Sequence, residues 1–401
     1  MLSMIFIIRE VVQLRARGFN IDVASINAAD RSTEGLTAVE ANEAALTHYI
    51  KPQGARGALM AHWQTLRRDW RGYLRGLRLV FELGRTDLRD VFYNLMYFTE
   101  ALMVGVWMQR RGQQHLHAHL GAQAATVAMY VKAVFGFGFS ITVHGPDEFY
   151  DAPGQYLGRK VEMADFIVCI SHFARSQLMK LSAYEHWHKL EVSRLGVDPS
   201  VFLPRPFEAN PEVFEIICVG RLCPAKGQHI LVEAVEQLLL EGRSVRLRIV
   251  GDGPDRASLE RHVHRLGRQR EIIFEGAVNQ DRIRNLYARA HIFSMPSFAE
   301  GIPVVLMEAM SMEIPCVTTR ITGIPELIRD GIDGLLVAPS SVDELAAALG
   351  RLMDDAELRE TLGHNGRLRV VEHYDLEKNV GRLGDIFQRR LGGAASEPAR
   401  A

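Results

Sequence analysis

The sequence predicts an α/β protein built from two doubly wound domains. Short β-rich runs alternate with helical patterns through the second half, a less regular version of the same alternation fills the first, and a proline-rich aperiodic stretch lies between them. Alternation of this kind implies parallel sheets covered on both faces. A chain of 401 residues is also too long for one hydrophobic core and suits two.

From the amino end, the segment LSMIFIIREVVQLRARGF reads as a helix, capped by Ser3, with Ile5, Ile8, Val12 and Leu14 on its apolar face. Met4–Ile8 is short, meets Arg9 and Glu10 at once and lacks the flanks of a signal peptide. A doubly wound domain normally opens on a strand, so we expect a short Val/Ile-rich strand encoded upstream of this start. Strands follow at Ile21–Ile26, His115–His119, Phe139–Val143, Phe166–Ile170 and Leu190–Arg194, with long helical stretches at about Arg56–Gly84 and Leu88–Arg110. Asn94, Thr99 and Glu100 interrupt the apolar run Val91–Met108, which favours a buried helix over a membrane span. Four prolines between Pro199 and Glu212 mark the linker, with the boundary near Arg205.

Beyond it, strands are expected at Phe214–Gly220, Arg246–Gly251, Glu271–Glu275, His291–Met295, Pro315–Thr319 and Gly334–Val337. Helices are expected near His229–Glu241, Asp255–Arg268, Gln280–Ala290, Pro303–Met312 and Val342–Asp354. The domains are then 1–204 and 205–373, with a last helix over 374–390 and a disordered tail at 391–401. A net charge of -1 supplies no field to recruit nucleic acid. Four scattered cysteines without a CxxC pair fit a reducing, cytoplasmic setting and no structural zinc.

Two segments carry the chemistry. In Glu300-Gly-Ile-Pro-Val-Val-Leu-Met-Glu308, Pro303 suits the first helical position, and Glu308 is the only charge in an otherwise apolar helix. A carboxylate so placed needs a partner or a ligand; a structural salt bridge is the plain alternative. Glu300 sits just ahead of the same helix start, where free N–H groups of Gly301, Ile302 and Val304 favour anions. In Val219-Gly-Arg-Leu-Cys-Pro-Ala-Lys-Gly227, Arg221 and Lys226 leave a strand end together, and two cations there suit a diphosphate. Gly251-Asp-Gly253 lacks the third glycine of a dinucleotide fingerprint, since position 256 is Arg256.

The ordered set GRLCPAKG, IVGDGPD, FAEGIPVVLMEAM and GIPELIRDGIDGLLV resembles the donor half of family 4 retaining glycosyltransferases. HLHAHLG, ITVHGPDEFYD and RLGVDPSVF extend the likeness to the first half, particularly to polysaccharide-biosynthesis members. The resemblance implies the GT-B fold, two Rossmann-like domains facing across a cleft, and a UDP- or GDP-sugar donor. It implies that Arg221 and Lys226 hold the diphosphate and Glu308 the ribose. Glu300 and the amides of Gly301, Ile302, Pro303 and Val304 correspond to the stretch at the donor sugar and its phosphate; Pro303 has no N–H of its own. His119 matches the histidine at the reacting centre, and His144 is a candidate for the acceptor side. The acceptor is a hydroxyl of a carbohydrate or lipid-linked glycan, and no cofactor or metal is required. In such relatives an apolar strand precedes the first helix, and their Glu-Thr pair after Leu-Ser is Met4-Ile5 here.

Two other readings compete. His115, His117 and His119 share one face of a strand, which admits a zinc hydrolase; a nucleotide-sugar-binding protein without turnover is the other. Finally, residues 62–84 carry Arg67, Arg68, Arg71, Arg75 and Arg78 beside Trp63, Trp70 and Tyr73. Such a basic aromatic helix can lie on an anionic membrane, here the inner face, or be a solvated charged surface.

Overall fold

The computed structural model describes residues 5–28, 36–84 and 87–392. They form two compact units: one holds the chain to Ser193 and from Val380 onward, the other Arg194–Asn379. The chain therefore leaves the first unit some eleven residues before the expected boundary at Arg205. The reason is local packing: Arg194 lies over the ring of Tyr374, Val197 bridges to Asp375, and Phe202 meets Tyr287 edge-on.

The first unit runs α1 (Ile5–Ala16), β1 (Ala24–Ser25), α2 (Ala38–Leu46), β2 (His48–Tyr49), α3 (Gly54–Arg68), α4 (Trp70–Gly84), α5 (Leu88–Arg111), β3 (His115–His119), α6 (Gln123–Phe135), β4 (Gly138–Val143), α7 (Leu157–Met163), β5 (Phe166–Cys169), α8 (His172–Lys180) and β6 (Leu190–Val192). Strands β3–β6 make a parallel sheet in that order, and β1 and β2 form a separate pair among the described residues. Phe139, Ile141, Val143, Ile167 and Cys169 are fully buried, as expected for strands covered on both faces. On α1 the buried apolar positions are Ile7, Ile8, Val11 and Leu14, whereas Val12 is exposed; the apolar stripe is rotated from the expected one. The proposed Ser3 cap and the tail beyond 392 lie outside the described residues.

The stretch expected as one helix over Arg56–Gly84 is two, broken at Asp69, whose φ of -147° leaves the helical region. The Asp69 carboxylate then accepts from the N–H of Gly72 at 2.8 Å, which starts α4 afresh. A Cβ on Gly72 would lie 2.3 Å from the carbonyl of Val134, so α4 approaches the backbone of α6 this closely only because this residue is glycine. Helix α5 is long and apolar enough to cross a membrane by length and composition, yet 56% of its apolar window is buried inside the protein.

The second unit runs β7 (Phe214–Val219), α9 (Gln228–Leu240), β8 (Val245–Val250), α10 (Arg256–Leu266), β9 (Ile272–Gly276), α11 (Gln280–Tyr287), β10 (Ile292–Met295), α12 (Val304–Ser311), β11 (Cys316–Thr319), α13 (Ile324–Leu327), β12 (Leu335–Val337), α14 (Val342–Asp354) and α15 (Ala356–His373). Helix α16 (Leu376–Gly392) starts here and ends in the first unit. The six strands are parallel in the order β12-β11-β10-β7-β8-β9. The chain thus builds outward from β7 to β9, then returns to the other side of β7 with β10. Ile216, Leu247, Ile249, Ile292 and Val317 fill the core beneath the helices.

Candidate functional site

Ligands of open parallel sheets bind outside the carboxyl ends of the strands, where the strand order reverses. In the second unit that point lies between β7 and β10. The loop after β7 carries Arg221 and Lys226, and the loop after β10 carries Ser297 and Glu300. They are drawn together by backbone contact: the N–H of Phe298 donates to the carbonyl of Ala225 at 2.8 Å. Gly227 has φ +62°, and a Cβ there would sit 2.3 Å from the carbonyl of Pro296. Only glycine fits this crossing.

At the crossing, Lys226 Nζ donates to Glu300 Oε1 at 2.5 Å. Ser297 Oγ donates to the same oxygen at 2.7 Å, and the main-chain carbonyl of Glu300 accepts from Thr322 Oγ1. Glu300 is buried, whereas Arg221 is exposed. The two segments singled out in the sequence, 74 residues apart at this contact, thus meet as one constellation. Lys226, the cation expected at a diphosphate, is paired with Glu300 in this structure.

Helix α12 begins at Val304, with Pro303 at the cap rather than at the first helical position. Its first N–H groups lie next to Glu300 in the chain, as an anion site requires. Glu308 is buried on α12 and accepts from the phenol of Tyr287 at 3.2 Å. Burial and the Glu308 carboxylate push the Tyr287 phenol well above its usual pKa, so it stays a donor. Tyr287, Ser297 and Thr322 were not singled out in the sequence, because nothing local marks a tyrosine on α11 as a neighbour of α12.

In the first unit, β3 presents its three histidines to one face. His115 Nε2 and His117 Nδ1 lie 2.8 and 2.7 Å from Ser140 Oγ, and His117 Nε2 lies 2.8 Å from Thr142 Oγ1. These ring nitrogens are engaged by hydroxyls on β4, and no group of three metal-ligating side chains converges among the described residues. The geometry therefore does not favour the zinc reading. His119 differs: its Nδ1 is 3.2 Å from His144 Nε2, and its Nε2 is 3.5 Å from Glu10 Oε1 on α1. Burial lowers His119 to about 4 and His144 to about 3, with mutual repulsion adding to the latter. Both rings are neutral at pH 7.

The loops after β3 and β4 are held by Glu148, which accepts from the N–H of His144 at 2.5 Å, of Gly145 at 2.9 Å, and of Gly121. Lys160 Nζ donates to the carbonyls of Gly121 and Ala122 at 2.7 and 2.8 Å. Burial lowers Lys160 to about 7, against the pull of Glu148. Glu10, Glu148 and Lys160 too went unmarked in the sequence.

On the helices before β3, Arg67, Arg68, Arg71 and Arg78 are exposed, as are Trp63, Leu66, Trp70, Leu74 and Phe81. Arg75 is exposed too, but its guanidinium is engaged by backbone, and Tyr73 is half-buried. Arg75 donates to the carbonyls of Ala133 and Val134 at the end of α6, at 3.1 and 3.2 Å. The hydroxyl of half-buried Tyr73 lies 2.9 Å from His62 Nδ1.

The family model of glycosyl transferases group 1 matches residues 202–369. The putative colanic acid biosynthesis glycosyltransferase WcaL of Escherichia coli is 32% identical over 277 residues, 63% of this chain and 67% of that protein. A GDP-mannose-dependent alpha-(1-6)-phosphatidylinositol monomannoside mannosyltransferase of Mycolicibacterium smegmatis is 29% identical over 57% of this chain and 63% of its own length. Among solved structures, HepE of Anabaena, in complex with UDP and glucose, superposes with a TM-score of 0.64 at 21% identity, covering 72% of this chain and 81% of that one. Sucrose-phosphate synthase of Thermosynechococcus elongatus gives 0.66 at 21% identity, covering 77% and 80%. These structures share the two Rossmann-like domains of the GT-B fold.

Proposed function

Since the chain belongs to the group 1 glycosyl transferases, the family 4 enzymes of GT-B fold, we propose that it moves a sugar from a UDP- or GDP-sugar to a hydroxyl of a carbohydrate or lipid-linked glycan, with retention at the anomeric carbon. The observation that carries this reading is the meeting of Lys226, Glu300 and the start of α12 at the switch point between β7 and β10. In the proposed step the acceptor oxygen bonds to the anomeric carbon as the bond to the diphosphate oxygen breaks. A phosphate oxygen of the leaving group takes the acceptor proton. Charge collects on that diphosphate, and Arg221, Lys226 and the N–H groups before and at the start of α12 are placed to stabilise it. Glu308 serves the ribose hydroxyls, Glu300 the donor sugar, His119 the reacting centre and His144 the acceptor side. The proposed step needs no metal.

The mannosyltransferase relative named above acts on a phosphatidylinositol monomannoside, and the exposed Arg and Trp side chains on α3 and α4 fit a similar setting at the inner face of a membrane. A thermal-shift panel of nucleotide sugars tests the donor class, because a bound ligand raises apparent stability by mass action. A melting temperature unmoved by every uridine and guanosine diphosphate sugar would end the proposal. Binding without transfer or hydrolysis would leave a sugar-nucleotide-binding protein, and an inverted product by NMR would remove retention.

A further inference from the structure

Three titratable side chains from three elements stand in a row in the first unit: Glu10 on α1, His119 on β3 and His144 at the end of β4. The separations are 3.5 Å between Glu10 Oε1 and His119 Nε2, and 3.2 Å between His119 Nδ1 and His144 Nε2. The row then stops. His144 Nδ1 is buried and has no hydrogen-bond partner among the described residues. A buried ring nitrogen without a partner costs free energy, and such an atom calls for an explanation.

The hydrogen-bond inventory of imidazole makes the row directional. A neutral ring has one N–H and one bare nitrogen, so fixing one end fixes the other. With Glu10 protonated, its O–H donates to His119 Nε2, His119 Nδ1–H donates to His144 Nε2, and the remaining proton sits on His144 Nδ1. With Glu10 ionised, its carboxylate accepts from His119 Nε2–H, His144 Nε2–H donates to His119 Nδ1, and His144 Nδ1 is bare. The second arrangement holds one proton fewer, and that proton leaves at the far end.

We propose that Glu10 is a positioning residue which, acting through His119, decides whether the unpartnered Nδ1 of His144 donates or accepts a hydrogen bond. The partner assigned to that nitrogen is a sugar hydroxyl, which can play either part; this clause rests on the acceptor-side reading of His144. Burial pushes the Glu10 carboxyl up to about 8, inside the range where an enzyme works. The other groups facing the row are His117, whose ring lies edge-on 5.1 Å from His119, and Glu148, which holds the backbone N–H of His144. Phe6 on α1 packs against the His144 ring, centroids 5.0 Å apart.

The test uses the full chain labelled with 15N-histidine, its signals assigned with His119→Gln and His144→Gln. Bare and protonated ring nitrogens are well separated, so the tautomer is read directly. In the native protein His144 Nδ1 should pass from protonated to bare as pH rises through about 8. In Glu10→Gln, whose amide can donate or accept but does not titrate, the tautomer should not change with pH. An unchanged His144 tautomer in the native protein, or the same transition in Glu10→Gln, overturns the proposal. Initial rates supply a second arm: the native kcat should carry a limb near the same pH that Glu10→Gln lacks, with donor KM within about twofold. If the tautomer switches and the rates do not follow, the row stands and the acceptor-side reading of His144 falls.

Discussion

Replacing His119 with glutamine should make the first unit less sensitive to acid. Folded His119 keeps its ring neutral until about pH 4, while the unfolded chain takes the proton near 6.5. On acidification the unfolded state therefore binds the proton first, and stability is lost as pH falls from 6.5 towards 4. At pH 5 the gap still open is about 1.5 pH units, worth roughly 2 kcal/mol at 1.36 kcal/mol per unit. Glu10 titrates the other way, its burial cost growing between 4.5 and about 8, in native and variant protein alike. All four tryptophans, Trp63, Trp70, Trp107 and Trp187, lie in the first unit, so their fluorescence follows that unit's unfolding. With a urea slope of about 2–3 kcal/mol/M, the native midpoint should fall by roughly 0.7–1 M more than that of His119→Gln between pH 7 and 5. Whatever the substitution costs at neutral pH cancels in that comparison. Equal falls in both proteins would refute the depressed pKa and the neutral ring on which the row of hydrogen bonds depends.

The remaining predictions concern donor and membrane. Arg221→Ala should lower UDP or GDP affinity by about 10- to 100-fold by calorimetry, the worth of one charge-assisted hydrogen bond; unchanged affinity would remove its diphosphate role. Glu308→Gln should raise donor KM with little change in kcat, and Glu300→Gln should lower kcat more than it raises KM; the same pure binding defect in both would undo the assignment. Converting Arg67, Arg68, Arg71 and Arg78 to glutamine should release the protein from anionic vesicles, at about 1 kcal/mol per arginine. Arg75→Gln should leave sedimentation unchanged while lowering stability, since that side chain caps α6; supernatant recovery at every salt and lipid composition would refute attachment.

The sheet of the second unit was legible because its strands are continuous apolar runs bounded by turns: Phe214–Gly220 became Phe214–Val219, and His291–Met295 became Ile292–Met295. The strand His115–His119 and the helix Val342–Asp354 agree to the residue. The break at Asp69 was not legible, since neither glycine nor proline stands there and the helical periodicity runs through it. The same periodicity placed Tyr73 beside Arg71 and Arg78 on a solvated face, but Tyr73 is half-buried, next to Gly72 and Gly76 where α4 closes on α5 and α6. At the candidate site, residue types and their order were readable, whereas pairings were not. That Lys226 lies on Glu300, Tyr287 on Glu308 and Glu10 beside His119 depends on which loops and helices cross. Those crossings are tertiary facts with no local signature.

The Lys226–Glu300 contact also bears on which anions the site turns away. A carboxylate tethered by the chain acts as an internal competitor, present at an effective concentration of millimolar order or above. Any incoming anion has to displace it from the ammonium group before gaining that charge for itself. Inorganic phosphate, small and abundant, has no further anchor with which to win the exchange. A nucleoside diphosphate, on the proposed reading, brings a second phosphate for Arg221 and a ribose for Glu308. Discrimination against simple anions would then come from the cost of entry, set by the protein's own glutamate, as much as from the fit of the ligand that succeeds.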